Sequence, residues 1–276
     1  MAGAQDELDA FRDFEQSGWN ETATLYDSHF GRHTLNYVDD LLDAANVGSA
    51  MSVLDVACGP GYVSASAHRR GARTTGVDFA PNMVAEARRL QQGPDFEVAD
   101  AEQLPYADEA FDAVVMGFGM LHMARPEAVT AEIARVLRPG GRFAFSVWGD
   151  PETRMLGLGI VIRAMTTHAN LDLGLPEGPP MFRLGEHAES EALLRGVGFT
   201  DIQIRDIDKR WRVEEATTLF TAFKDAGVRA GVALRQQTPE AIEKMVADIR
   251  RDSAPFAVGD HYEFLMGAVV AAGTKP

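Results

Sequence analysis

The chain of 276 residues has a single cysteine, Cys58, so no disulfide can form within it and its fold rests on core packing. It is also short of positive charge. Twenty-six lysines and arginines face 41 aspartates and glutamates, a net charge of −15. Its densest basic clusters are Arg69-Arg70 with Arg73, and Arg250-Arg251. These are short and lie in helical patterns, where they read as solvated surface. A protein that grips a nucleic-acid backbone needs a basic stripe, and an acidic surface is poorly suited to anionic membranes. No apolar run approaches the ~18 residues that span a bilayer. The first thirteen residues are polar and acidic, unlike a secretory or transit leader. The expectation is a cytoplasmic protein with a small-molecule partner and neither nucleic acid nor membrane as partner. The oligomeric state stays open.

What the chain does have is a regular alternation. Between residues 51 and 148, β-rich apolar runs (51–57, 73–78, 95–98, 111–116, 142–148) alternate with helical patterns (62–70, 82–92, 126–137). Pro81 suits the first turn of the second helix, and Pro139-Gly140-Gly141 closes the third. Continuous apolar strands alternating with helices imply a parallel sheet covered on both faces. Further on, a helix at 186–196 leads into a strand at 200–207, and a last strand runs over 262–272. This pair suits an antiparallel edge. The fold class is therefore α/β: a Rossmann-like, doubly wound, mostly parallel seven-stranded sheet. Residues 1–47 form N-terminal cap helices before a domain over 48–276. Insertions at about 150–185 and 210–260 serve as helical lid elements over the sheet's carboxyl edge.

Three carboxylates fall at the ends of three consecutive strands. Asp55 precedes a turn, Ala57-Cys58-Gly59-Pro60-Gly61, whose glycines admit close backbone approach. The helix that follows offers N–H groups to a carboxylate, and Asp55 can accept from an ammonium, so the turn suits a zwitterionic amino-acid group. A dinucleotide fingerprint needs a third glycine where Ser64 stands. Asp78 ends the second strand about 20 residues on, where an acidic residue binds a ribose diol. Asp100 follows the third strand, placed to accept from an adenine amine.

On these residues the chain resembles the class I S-adenosylmethionine-dependent methyltransferases, in the small-molecule branch that includes the ubiquinone and menaquinone C-methyltransferases. The matching stretches are LDVACGPG, GVDFAPNMVAEAR, FEVADAEQLPYADEAFDAVV and RVLRPGGRFAFSVW, within residues 18–150. The resemblance implies S-adenosylmethionine as cofactor, S-adenosylhomocysteine as product, and methyl transfer to a small organic molecule. It implies that Gly59, Gly61 and the backbone at Ala57 and Cys58 hold the methionine moiety, with Asp55 beneath. It assigns Asp78 to the ribose, with Phe79 and Met83 beside the nucleoside, and Asp100 and Ala101 to the adenine edge. It sets Met116, Gly117 and Phe118 on the methionine side, and Tyr26, on a cap helix, near the cofactor carboxylate. Ala57 departs from the glycine many members carry.

No catalytic base is obligatory for displacement at a sulfonium carbon, where alignment and desolvation can suffice. His122, in FGMLHM after the fourth strand, is a candidate for proton handling. His29 and His33, one turn apart, are candidates for substrate contact. They lack a third ligand, so no metal is expected. Cys58 reads as a small packing residue. The apolar residues of the insertions, Met155, Leu158, Ile160, Met165, Phe182, Trp211, Leu219 and Phe223 among them, read chiefly as packing and secondarily as the wall of a hydrophobic substrate site. The rival readings are a cofactor used as a fixed cation in a rearrangement, a nicotinamide-dependent oxidoreductase, and a non-enzymatic ligand-binding module.

Overall fold

The computed structural model describes residues 2–276, with side chains from residue 5 onward. The N-terminal region is helical: α1 (Ala2–Tyr26), a π-helical turn (Asp27–Gly31), the single turn α2 (Arg32–Thr34), and α3 (Val38–Ala44). The sheet then builds through β1 (Ser52–Val56), α4 (Tyr62–Arg69), β2 (Arg73–Asp78), α5 (Pro81–Leu90), β3 (Asp95–Val98), β4 (Phe111–Gly117), α6 (Pro126–Val136) and β5 (Leu137–Trp148). After these come α7 (Leu156–His168), α8 (His187–Gly196), β6 (Thr200–Val213), α9 (Thr218–Ala226), α10 (Arg229–Arg235), α11 (Pro239–Ser253), the two-residue β7 (Ala257–Val258) and β8 (His261–Thr274). No helix among the described residues is long and apolar enough to cross a membrane.

The strand order is β3-β2-β1-β4-β5-β8-β6, with β7 pairing only with β8. The first five strands are parallel, while β8 runs antiparallel to both β5 and β6. The alternating Cβ directions of the central strands divide the core into two faces. Leu54, Val56, Val114, Met116, Phe143 and Phe145 pack toward α6 and α8. Val53, Ala113, Val115 and Ala144 pack toward α3 and α4. Small residues dominate the second set, and this lets helices with Leu41, Leu42 and Ala67 sit close.

The order holds the seven strands expected, and the two-residue β7 adds an eighth beside β8. Two expectations change. Pro139-Gly140-Gly141 does not stand outside β5: α6 stops at Val136, and Leu137 already pairs with Phe111. The Gly140 N–H donates to the Lys275 carbonyl (2.8 Å), so this turn is tied into the sheet. Lastly, β6 and β8 are longer than the apolar pattern suggests. Their pairing runs from Thr200↔Thr274 to Val213↔Tyr262, whereas β5 accompanies β8 only as far as Trp148↔Ala268. The paired strands thus project past the sheet's carboxyl edge. That projection carries a separate core in which Phe264, Met266 and Val213 pack with Met155, Leu158, Val161, Leu219, Phe220, Met245 and Ile249.

Candidate functional site

Strand order reverses between β1 and β4, with β2 and β3 on one side and β5 on the other. In open α/β sheets this switch point opens a crevice at the strands' carboxyl ends. A cavity with about 780 Å³ of empty volume, its mouth included, occupies it. Ala57, Cys58, Gly59, Asp78, Phe79, Met83, Gly117, Phe118 and His122 line it from the sheet loops, and Trp19, Tyr26, Thr34, Tyr37, Val38 and Leu41 from the N-terminal helices.

The turn after β1 is left-handed at Ala57, Gly59 and Gly61, with φ of +53°, +49° and +80°. Ala57 adopts there a conformation that favours glycine, which accounts for the residue common at this point in the family it resembles. A Cβ at Gly61 would lie 2.6 Å from the Phe96 ring, so this glycine is required by packing. A Cβ at Gly59 would meet nothing within 4 Å, so its Cα faces open space on the cavity wall. On the opposite wall Phe118 is also left-handed, with φ +57°. A side chain on Gly119 would meet the Ala57 Cβ at 2.7 Å. The two loops therefore approach as closely as their residues allow.

The carboxylates are held from below. Asp78 accepts the Gly59 N–H (2.9 Å) on Oδ2 and the Ala80 N–H (2.9 Å) on Oδ1. Burial pushes its pKa up to about 6. Asp55 accepts the Ser64 N–H (2.8 Å) and hydroxyl (2.6 Å) on Oδ2, which clamps the first turn of α4 to β1. Its Oδ1 is buried without a partner, and burial pushes its pKa up to about 7. The Cys58 thiol is driven well above its usual range by burial, then by Asp55 and Asp78. It is therefore a thiol and not a thiolate nucleophile.

A smaller hollow adjoins the cavity and shares Ala57, Phe79, His122 and Met123 with it. Asp100 and Ala101 line this hollow, together with Arg12. Asp100 accepts the Glu102 N–H (2.8 Å) and lies 3.4 Å from Arg12. Helix α1 spans both hollows. Gln16 donates to the Phe79 carbonyl (2.8 Å), Asn82 donates its backbone N–H and its side-chain amide to the Asn20 Oδ1 and carbonyl, and Arg125 pairs with both Asp9 and Glu102.

Most of the sequence-derived residues come together here, with exceptions. Met116, Gly61 and Asp55 do not line either hollow. Met116 is fully buried in the core, and Gly61 and Asp55 act one layer back. His29 lies 3.9 Å from Asp225, away from the cavity lining. His33 is buried between the parallel rings of Trp148 and Trp211, hydrogen-bonded to the Tyr37 hydroxyl (3.1 Å). Burial lowers its pKa to about 4, so it is a neutral packing group. The two histidines have separate surroundings: His29 sits in the π-helical turn near Asp225, and His33 in α2 against the two tryptophans. None of the apolar residues of the 150–185 and 210–260 insertions lines the cavity. They pack on the β6–β8 projection instead.

Residues the motifs did not single out are Trp19, Thr34, Tyr37, Tyr62 and Ser146 on the cavity wall, and Glu15 behind it. Phe11, Glu15, Trp19, Thr22 and Tyr26 follow helical spacing along one face of α1, and that period was the available signal.

A family model described as a methyltransferase domain matches residues 54–145. A ubiquinone/menaquinone biosynthesis C-methyltransferase of Desulfotalea psychrophila is 44% identical over 97 residues, which cover 34% of this chain and 39% of that protein. An uncharacterized protein of Mycobacterium tuberculosis is 37% identical over 192 residues, 67% of each chain. Among solved structures, a putative methyltransferase from Bacillus halodurans has a TM-score of 0.58 at 20% identity, covering 87% of this chain and 98% of that one. At that identity the likeness speaks to the fold.

Proposed function

We propose a function from one premise: the chain belongs to the class I S-adenosylmethionine-dependent methyltransferase family. It transfers the methyl group of S-adenosylmethionine to a small, apolar organic molecule. The observation that carries this reading is the cavity at the β1/β4 switch point, where the left-handed turn, Asp78 and the Gly117-Phe118 loop meet under α1.

The residues present fit the cofactor. The open wall at Gly59 admits a chain that lies against backbone, and Tyr62 and Val63 open α4 beside it. Ala57, Cys58, Gly59 and Gly61 shape the seat of the methionine moiety, with Tyr26 near its carboxylate. The buried, unpartnered Asp55 Oδ1 is a reserve acceptor beneath it. Asp78 takes the ribose hydroxyls, flanked by Phe79 and Met83, and Asp100 and Ala101 take the adenine edge. Gly117 and Phe118 face the methionine side, backed by Met116. When bound, the sulfonium supplies an electrophilic methyl carbon. The chain's own part is to bind, align and exclude water from the acceptor. Aromatic and methionine side chains on the wall suit an apolar acceptor, and the net charge of −15 weighs against a nucleic-acid substrate.

The test is methyl transfer from S-adenosylmethionine labelled in its methyl group to a panel of apolar phenols, carbon acids, amines and carboxylates. The expected result is labelled acceptor and S-adenosylhomocysteine in equal amounts. Tight cofactor binding with no product from any acceptor contradicts methyl transfer.

A further inference from the structure

We infer that Glu15 and His122 form a proton-accepting dyad on the cavity wall, and that the acceptor is a hydroxyarene whose hydroxyl loses its proton as it is methylated. This rests on the methyl-transfer reading and deepens it by naming the acceptor class.

Glu15 lies on α1, outside the stretch matched by the family model. Its side chain is only 3% exposed. A carboxylate so buried is costly unless it is partnered, and among the described residues no lysine or arginine pairs with it. Its Oε2 accepts the Trp19 indole N–H (3.0 Å) and lies 2.9 Å from His122 Nδ1. A carboxylate only accepts, so Nδ1 carries a proton, and in the neutral ring the lone pair lies on Nε2. The Trp19 ring stands edge-on to the imidazole at 4.8 Å and fixes its plane. His122 lines both the cavity and the adjoining hollow.

Other titratable groups on these walls are committed. Both Asp78 oxygens accept backbone N–H groups. Asp100 faces Arg12, and Glu102 faces Arg125. The Tyr37 hydroxyl donates to the Met266 carbonyl. Burial holds the Cys58 thiol protonated and pushes the Tyr26 hydroxyl up to about 12. Apart from the Tyr62 hydroxyl, a far weaker base, Nε2 of His122 is the lone pair that remains.

Six aromatic rings (Trp19, Tyr26, Tyr37, Tyr62, Phe79 and Phe118) and two thioethers (Met83 and Met123) line the same cavity. They suit a planar apolar ring. An amine acceptor can shed its proton after transfer, whereas a neutral hydroxyl needs a base as the bond forms. In the step, the acceptor O–H bond breaks and its proton passes to Nε2. The oxygen's electron pair forms the new O–CH₃ bond. The C–S bond breaks and its pair stays on sulfur, releasing S-adenosylhomocysteine. The imidazolium is balanced by Glu15 until the proton leaves to water. Glu15 is thus a positioning residue that acts through His122.

The tests use the full chain, with S-adenosylhomocysteine added for the spectra and S-adenosylmethionine as methyl donor for turnover. Long-range proton–nitrogen NMR at pH 8 reads the ring tautomer, with the signal of His122 identified by its loss in His122→Asn. The expected result is the Nδ1–H tautomer, and an Nε2–H tautomer overturns the proposal. Turnover is then measured on hydroxyarenes of graded acidity. Glu15→Gln is expected to lower kcat about 10- to 100-fold with little change in KM, and to do so most for the least acidic hydroxyarenes. An equal loss across the series assigns Glu15 a merely structural role and overturns the dyad. Binding of S-adenosylhomocysteine without turnover of any hydroxyarene overturns the acceptor class and leaves methyl transfer standing. Failure of the unsubstituted chain to bind it strikes the methyl-transfer reading itself.

Discussion

Two regions stand beyond the carboxyl edge of one sheet, and they are built on opposite rules. On the β1/β4 side the backbone is bent into left-handed turns at Ala57, Gly59, Gly61 and Phe118, carboxylates are buried, and a cavity remains. On the β6/β8 side the strands run on past β5 in regular pairing, and apolar side chains from α7, α9 and α11 close over them. The first region keeps strained backbone and a buried acceptor atom without a partner. Such features persist where they serve a ligand. The second region spends its apolar surface on packing. The two meet where Trp148 and Trp211 enclose His33, so the second region buttresses the N-terminal helices that roof the first.

Phe264→Ala gives the sharpest way to break this comparison. The ring is fully buried in the β6–β8 core, and a Cβ on Gly157 would lie 2.8 Å from the Phe264 Cβ. Truncation is expected to cost about 3–5 kcal/mol in denaturant unfolding while calorimetry shows the affinity for S-adenosylhomocysteine unchanged. A large loss of affinity in a chain that remains folded would show that the two regions are not separable.

Asp55→Asn sharpens the comparison from the other side. The Asp55 pKa is about 7 in the folded chain and near the ordinary 3.8 when unfolded. Between these values the folded state holds a proton that the unfolded state has released. Stability is therefore greatest below pH 4 on this account and falls as pH rises toward 7. The loss is about 4 kcal/mol at one pKa unit per 1.36 kcal/mol, and Asp78, raised to about 6, adds to it in the same direction. Unfolding curves at several pH values should show Asp55→Asn with a shallower slope. An unchanged slope would mean that Asp55 ionises freely in the fold.

How far the sequence could be read follows from the same contrast. Strands buried on both faces leave apolar runs such as Val53-Leu54 and Val114-Val115, and glycines mark the turns, so β1 to β4 were legible nearly to the residue. The three strand-end carboxylates were legible because packing alone does not call for Asp55, Asp78 and Asp100. The length of β6 was not, since an edge strand with Arg205, Lys209, Arg210 and Arg212 on it carries little apolar signal. Nor was Glu15, because an acidic residue in a polar helix reads as surface until the helix is seen to lie across a cavity. The apolar insertions read chiefly as packing and secondarily as substrate walls, since periodicity gives a face and not its partner. Here the partner is the projecting β6–β8 pair.

The central claim is that the switch-point cavity holds S-adenosylmethionine. Calorimetric titration of S-adenosylmethionine and S-adenosylhomocysteine into the chain and into Asp78→Ala, with NAD as competitor, tests it most directly. Saturable binding of both ligands is expected, weakened at least about tenfold by the substitution, a difference of about 1.4 kcal/mol, and indifferent to NAD. Binding that ignores Asp78→Ala or yields to NAD would contradict it.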